Sequence, residues 1–183
     1  ILIYKNRFTI IGIQSNLSFL NQSQEAFTLP LSRQSEAVQA IKNESFSAFQ
    51  TSEINFANYP PLEAIFGEIT VAGSSDVLFY QRITGVTTGN PLLGLTELSG
   101  RREVFLFGTG IFQWRSQSFL DTGSFETFDT FIDQLVQYAA SNQKRQRLEL
   151  DYDRFYYGGN AIVLNAQYFD KNYVFDPGAQ LQV

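Results

Sequence analysis

The chain of 183 residues contains no cysteine, no histidine and no methionine. Without cysteine it has no disulfide framework, no thiolate nucleophile and no zinc–thiolate site. Without histidine it lacks the commonest metal ligand and the commonest general base at neutral pH. Catalytic triads of the Ser-His-Asp and Cys-His kinds are therefore excluded within this sequence.

Positive charge is also scarce, since 13 Lys and Arg against 18 Asp and Glu give a formal net charge of −5. A phosphate-binding surface needs a basic field, and the chain has one short basic run, Lys144, Arg145 and Arg147. We therefore expect no nucleic-acid partner. No signal peptide and no membrane-spanning apolar run is recognisable. Because the chain opens directly on the apolar Ile1, we expect it to be part of a longer protein whose membrane anchor lies outside this segment.

Aromatic residues are abundant, with 18 Phe and 9 Tyr in a chain that is 44% hydrophobic. Each buried ring removes roughly 150–250 Å² from water. A core of this composition is expected to be stable without disulfides. The length suits one ordinary domain with a small appendage.

The clearest secondary-structure signal is a helix over residues 125–141. Apolar side chains recur there every three or four residues, acids and amides occupy the other face, and Ser124 is a suitable N-cap. The nearly continuous apolar run 77–83 predicts a central strand. Residues 91–98 and 103–107, joined by a turn, predict a hairpin.

The remaining N-terminal elements are predicted from shorter patterns. They are strand over 1–13, a helical turn over 16–21 capped by Ser15 or Asn16, extended chain over 27–31, a helix from Ser35 to about Phe49, an extended loop over 59–67 that leads to a strand, and a turn at 108–110.

After Arg147 the pattern changes to alternation, with breaks at 158–159 and 177–178, and three short strands are predicted. We therefore divide the chain into an α/β domain, residues 1–146, expected to be truncated at its N-terminus, and a β unit, residues 147–183. Three strands are few for an independent sandwich and leave edges unpaired. The β unit is expected either to pair with the same region of a second molecule, giving a homodimer, or to pack on the α/β domain.

The segment Gly108-Thr109-Gly110 follows a strand, as phosphate-binding loops do. The dinucleotide fingerprint requires a further glycine at position 113, which is Gln, and the phosphate-loop lysine is absent. We interpret this segment as a structural turn.

Two sets of acids are candidates for other chemistry. Glu149, Asp151 and Asp153 can offer oxygen ligands to calcium, but the calcium-loop pattern is not met, and a shared solvated strand face accounts for them. Asp121 and Asp129 are a carboxylate pair of the kind that glycoside hydrolysis uses, although acids at helix starts commonly serve the helix dipole. No catalytic residue, metal ligand or cofactor-binding residue is assigned.

Aromatic residues beside turns form the candidate binding surface: Trp114 with Arg115, and Tyr156 with Tyr157. Such rings can stack on sugars or on a protein partner. The interpretation that we favour for Trp114 is packing where helix meets sheet, while Arg115 covers a ring or pairs with an acid. Buried rings favour a scaffolding role, whereas exposed rings favour sugar binding.

Six stretches resemble one group of large bacterial envelope proteins. They are YPPLEAIFG (59–67), DVLFYQRITGV (76–86), PLL (91–93), GTGIFQWR (108–115), GSFETFDTFIDQLVQYAA (123–140) and AQYFDKNYVFD (166–176). That group is membrane-anchored and carries von Willebrand factor A-like and class I glutamine amidotransferase-like regions. The resemblance covers most of the chain, in order.

The resemblance implies a flavodoxin-like, amidotransferase-like α/β layer followed by the start of an immunoglobulin-like β unit outside the cytoplasmic membrane. True amidotransferases use a cysteine and a histidine, and this chain has neither, so no catalytic residue can be transferred. We expect a non-catalytic structural or interaction segment whose partners are other envelope proteins or the rest of its own chain. The alternatives are a carbohydrate-binding surface and, third, a carboxylate-based enzyme.

Overall fold

The computed structural model describes residues 7–46, 55–72, 75–98, 101–140, 148–152 and 164–168. The chain divides into two units, Ile1–Asn142 and Gln143–Val183. The boundary predicted from the sequence, after residue 146, lies slightly later in the chain than this one.

The first unit is built around one six-stranded sheet with the order β1 (Arg7–Ile10), β8 (Arg101–Leu106), β7 (Val86–Leu98), β6 (Ser75–Ile83), β3 (Ser35–Lys42) and β4 (Leu62–Ile65). The β1–β8 pairing is parallel, and the other four pairings are antiparallel. The α/β class is thereby confirmed, as a mixed sheet with helices. In chain order the elements are β1 (Arg7–Ile10), α1 (Leu17–Ser23), β2 (Phe27–Thr28), β3 (Ser35–Lys42), a 3₁₀ turn (Phe56–Asn58), β4 (Leu62–Ile65), β5 (Thr70–Val71), β6 (Ser75–Ile83), β7 (Val86–Leu98), β8 (Arg101–Leu106), α2 (Phe112–Thr122) and α3 (Glu126–Ala140).

Strand β8 shows how the sheet separates two cores. Successive side chains of a strand point to opposite faces. Val104 and Leu106 join the core beneath α2 and α3, while Phe105 and Phe107 join a second core with α1, β2 and β5. The sheet therefore has a helix layer on one face and α1 with the small β2–β5 ribbon on the other.

The helix predicted over 125–141 is confirmed as α3, and the middle of the apolar face that the sequence indicated is buried, while Phe125 and Val136 at its edge are exposed. Phe128, Phe131 and Leu135 lie in the core, whereas Glu126 and Asp133 are exposed. Each such side chain contributes roughly 1.5–3 kcal/mol on burial. The central strand is confirmed as β6. The helical turn is confirmed as α1, where the Asn16 side chain accepts a hydrogen bond from the backbone N–H of Phe19 at 3.0 Å.

The predicted helix from Ser35 is wrong, because residues Ser35–Lys42 form strand β3. Val38 and Ala40 are buried, whereas Ala37 before them is exposed and Gln39 between them is only half-buried, so the burial alternates with the period of a strand. The same few apolar residues fit both periods. Pairing with β4 and β6 decides the outcome, since tertiary contacts override local helix propensity.

The first strand of the predicted hairpin, expected over 91–98, is β7, and it begins earlier than expected, at Val86. A two-residue turn joins β6 to β7, and both of its residues, Thr84 (φ 45°) and Gly85 (φ 87°), have left-handed backbone. That geometry matches the twist of antiparallel strands. A β-branched Thr is an unusual residue at such a position, which is why the sequence pattern did not reveal the turn.

Helix α2 was not predicted at all. It ends at Gly123, whose φ of 73° and N–H bond to the carbonyl of Phe119 (2.8 Å) form a left-handed C-cap. No helix in the described part of the chain is long and apolar enough to span a membrane.

The second unit contains strands β9 (Leu148–Tyr152) and β10 (Leu164–Tyr168), which pair antiparallel with Leu164 opposite Tyr152. Two of the three predicted strands are thus present. The remainder of the predicted β unit, including the breaks at 158–159 and 177–178, lies outside the described residues.

Candidate interaction surface

The inner side of α2 carries Trp114, which is completely buried. Its indole N–H donates a hydrogen bond to the carbonyl oxygen of Pro60 at 2.8 Å. Its ring lies 5.3 Å from that of Phe56, 6.2 Å from that of Tyr59 and 6.1 Å from that of Phe79, measured between centroids. Trp114 therefore joins α2 to the sheet and to the loop before β4.

This placement favours the packing interpretation of Trp114 over the sugar-stacking one. A fully buried ring has no face free for a ligand. The other candidate aromatics, Tyr156 and Tyr157, lie outside the described residues. Of the four candidate surface residues, Arg115 is the one that the structure places at the surface.

Arg115 both pairs with an acid and covers a ring. Its Nε and Nη2 donate to the two carboxylate oxygens of Asp129 at 2.7 and 2.9 Å. Its Cζ lies 3.9 Å from the ring centroid of Phe125. The hydrogen bond from Arg115 lowers the pKa of Asp129, and the same bond raises the pKa of Arg115. The pair therefore links α2 to α3 in a fixed geometry.

The outer side of α2 is apolar. Phe112 is 71% exposed and Leu120 is 76% exposed, and Phe119 is also exposed. At 100° per residue, all three project to the side opposite Trp114 and Ser118, which are the buried residues of this helix. No charged residue occupies that outer side. The helix thus has apolar side chains on both faces.

The apolar surface continues across the junction with α3. The rings of Phe119 and Phe125 stack with their centroids 4.7 Å apart and their planes 27° apart. Phe125 is itself 37% exposed. We call the surface formed by Phe112, Phe119, Leu120 and Phe125 the outer apolar stripe.

The charges around the stripe are mainly acidic. Between residues 111 and 140 the sequence has one cation, Arg115, and four acids. Glu126, which follows Phe125 directly in the sequence, and Asp133 are exposed on α3, whereas Asp129 is half-buried and bound by Arg115 of α2. Asp121 lies on the other side of α2, where it accepts a hydrogen bond from Gln117 at 2.7 Å.

Tyr59 is the other residue near α2 with a shifted pKa. Burial raises the pKa of its phenol above the ordinary tyrosine value, while the neighbouring hydroxyl of Ser118 lowers it and the carboxylate of Asp121 raises it further. A tyrosine of this kind stays neutral at physiological pH, so it is a core residue with a polar end and not a base.

The segment 108–110 is a structural turn, as expected. The N–H of Thr109 donates to the carbonyl of Glu63 (2.9 Å), and the N–H of Glu63 donates to the carbonyl of Thr109 (3.0 Å). The loop therefore uses its central amide for an isolated β-bridge to β4. That amide is not available to a phosphate.

The two members of the candidate carboxylate pair have different surroundings in the structure. Asp121 and Asp129 have separate hydrogen-bond partners, Gln117 and Arg115. Within the part of the chain that the structure describes, no group of three or more acids is placed to hold a metal ion. The side chains of Glu149, Asp151 and Asp153 lie outside what the structure describes.

The spacing of apolar residues in the sequence of α2 contains a signal for the stripe. Phe112 and Phe119 are seven residues apart, and Trp114 and Ser118 are four apart, so each pair shares one side of a helix. Three large apolar residues on the side opposite Trp114 would have indicated a helix with two apolar faces.

Comparison of the chain with protein-family models, with curated proteins and with solved structures finds no match. The function must therefore be argued from the residues and contacts themselves.

Proposed function

We propose that this segment is a non-catalytic structural or interaction part of an extracytoplasmic bacterial envelope protein, and that the outer apolar stripe contacts another protein. The observation that carries the proposal is the exposure of Phe112 (71%) and Leu120 (76%) on a regular helix whose opposite face already anchors the fold. Contiguous exposed apolar surface of this kind marks interaction sites. Its burial contributes about 25 cal/mol per Å².

The non-catalytic part of the proposal is supported by the residue inventory. The chain has no thiol and no imidazole, and Asp129 is engaged with Arg115. Purified protein should release no ammonia from glutamine above the buffer rate at any pH. Ammonia release that persists after further purification would contradict the proposal that the segment is non-catalytic.

The finer fold assignment is also a proposal. We assign the first unit to a flavodoxin-like, amidotransferase-like layer, supported by the parallel β1–β8 pair and by α2 and α3, which follow β8 and pack on the sheet. We assign the second unit to the start of an immunoglobulin-like module, supported by its antiparallel β9–β10 pair. The extracytoplasmic location, with a membrane anchor outside this segment, rests on the resemblance to envelope proteins.

The partners that we propose are other envelope proteins or further parts of the same chain. A homodimer through the C-terminal strands is the second proposed contact, because among the described residues β9 and β10 pair only with each other, and an unpaired strand edge is a template for another chain. Light scattering should show dimers of this segment and monomers of a longer form that completes the β unit. A strictly monomeric short form would contradict the homodimer.

The stripe is tested directly by photo-crosslinking in the cells that produce the protein. A photoreactive amino acid replaces Leu120, and a matched control carries it at Gln137, which is exposed on the polar outer side of α3. We expect a discrete protein adduct from position 120 and none from position 137. No adduct at 120, or equal adducts at both positions, would contradict the proposed contact.

A further inference from the structure

We propose that the outer apolar stripe binds a helix that presents an apolar face bordered by lysine or arginine. This inference rests on the proposed function and specifies its partner. The partner is identified by the shape and the charge of the stripe.

The shape of the stripe fits a helix. Phe112, Phe119 and Leu120 extend over two turns of α2, or about 12 Å at 1.5 Å per residue. An amphipathic helix offers apolar anchors at intervals of three, four and seven residues, which repeat over the same distance. The stacked pair Phe119 and Phe125 widens the surface toward α3, so that a helix can lie along the junction of the two helices.

The charge at the border selects a basic partner. Residues 111–140 carry four acids and one cation, Arg115, which is already bound by Asp129, so that the exposed Glu126, next to Phe125 in the sequence, and Asp133 are left without that cation. A field of this sign attracts lysine and arginine and repels acids. A second copy of the chain would bring the same acids face to face, and an anionic lipid surface would also be repelled.

The test uses three synthetic amphipathic helices of about 18 residues with the same leucine face. Their borders carry lysine, glutamine or glutamate, and binding to the whole 183-residue chain is measured by calorimetry. We expect the lysine peptide to bind at least about tenfold more tightly than the glutamine peptide. We expect the glutamate peptide not to bind. Higher salt should reduce the advantage of the lysine border, since screening shortens the range of charge interactions.

Two variants separate the stripe from general attraction to an acidic protein. The double variant Phe112→Ser/Leu120→Ser removes the apolar anchors and keeps every charge, so it should lose binding of the lysine peptide. The control Val86→Ser changes an equally exposed apolar residue at the β6–β7 turn and should bind as the parent does. Unfolding curves of both variants show whether they remain folded.

Several results would overturn this inference. They are equal binding of the lysine and glutamine peptides, unchanged binding to the double variant, no binding by any of the three peptides, and self-association of the chain that the double variant abolishes. If the crosslink at position 120 forms while the lysine peptide fails, the proposed function stands and the basic helical partner is wrong. If neither the crosslink at position 120 nor binding of the lysine peptide is observed, both the proposed function and the basic helical partner are contradicted.

Discussion

Helices α2 and α3 pack beside each other over the same core, yet they distribute their apolar side chains differently. In α3 the apolar residues Phe128, Phe131 and Leu135 point into the core, and acids occupy the outer side. In α2 a single large residue, Trp114, points inward, while Phe112 and Leu120 point outward. Packing on the core explains where the apolar side chains of α3 lie, and it explains the buried Trp114 of α2. It does not explain the exposed Phe112 and Leu120, which the proposed binding partner would cover.

The largest expected effect concerns the inner side of α2. Trp114→Ala removes a completely buried ring and leaves the carbonyl of Pro60 without its indole donor, so it should cost about 3–5 kcal/mol of unfolding free energy. Leu120→Ala, six residues further along the same helix, should change it by less than about 0.5 kcal/mol. Equal losses from chemical denaturation would show that α2 does not have the two faces assigned to it.

The inner side of α3 is expected to give a similar contrast. Leu135→Ala creates a cavity beneath the helix and should cost about 2–5 kcal/mol. Its neighbour Val136 is 46% exposed, and Val136→Ala should cost less than about 0.5 kcal/mol. Urea unfolding of the two variants checks the prediction. An unchanged midpoint for Leu135→Ala would mean that the wrong face of α3 was assigned to the core.

The junction between the helices should give an intermediate effect. Phe119→Ala removes the partner that stacks on Phe125, and such a ring pair is worth about 0.5–1.5 kcal/mol beyond the area that it buries. Phe112→Ala, on the same side of α2 but without a ring contact among the described residues, should have a smaller effect. The reverse order in thermal unfolding would show that the junction does not hold the helices together.

The smallest expected effect concerns the ion pair that links the two helices. Arg115→Gln removes the donor that lowers the pKa of Asp129, so that pKa should rise toward the ordinary aspartate value, as carboxyl NMR titration can measure. Because the folded-state pKa is lowered, the contribution of the pair is present above the ordinary aspartate pKa and is lost as pH falls through the lowered one. An unchanged pKa in Arg115→Gln would exclude Arg115 as the cause.

The same comparison shows what the sequence could predict. Helix α3 was predictable because its apolar and polar residues are segregated with the helical period. Helix α2 was not, because apolar residues on both sides remove that contrast. Strand β3 was predicted as a helix because Ala37, Val38 and Ile41 lie near helical spacing. The choice of a strand depends on β4 and β6, which are distant in sequence.

The candidate surface was predicted only in part. The sequence favoured a buried Trp114 and an Arg115 that covers a ring or pairs with an acid, and the structure has both. The ion pair of Arg115 with Asp129 joins residues on different helices, so it depends on how α2 and α3 pack. Phe112, Phe119 and Leu120 could be recognised as a surface only once α2 was known to be a helix.

The central claim is that Phe112 and Leu120, on the outer side of α2, serve binding and not folding. It is tested most directly by measuring two quantities on the double variant Phe112→Ser/Leu120→Ser: the free energy of unfolding and the affinity for the lysine-bordered peptide. We predict that the unfolding free energy stays within about 1 kcal/mol of the parent, while peptide binding is lost. A large fall in stability, or binding that persists in a folded variant, would contradict the claim.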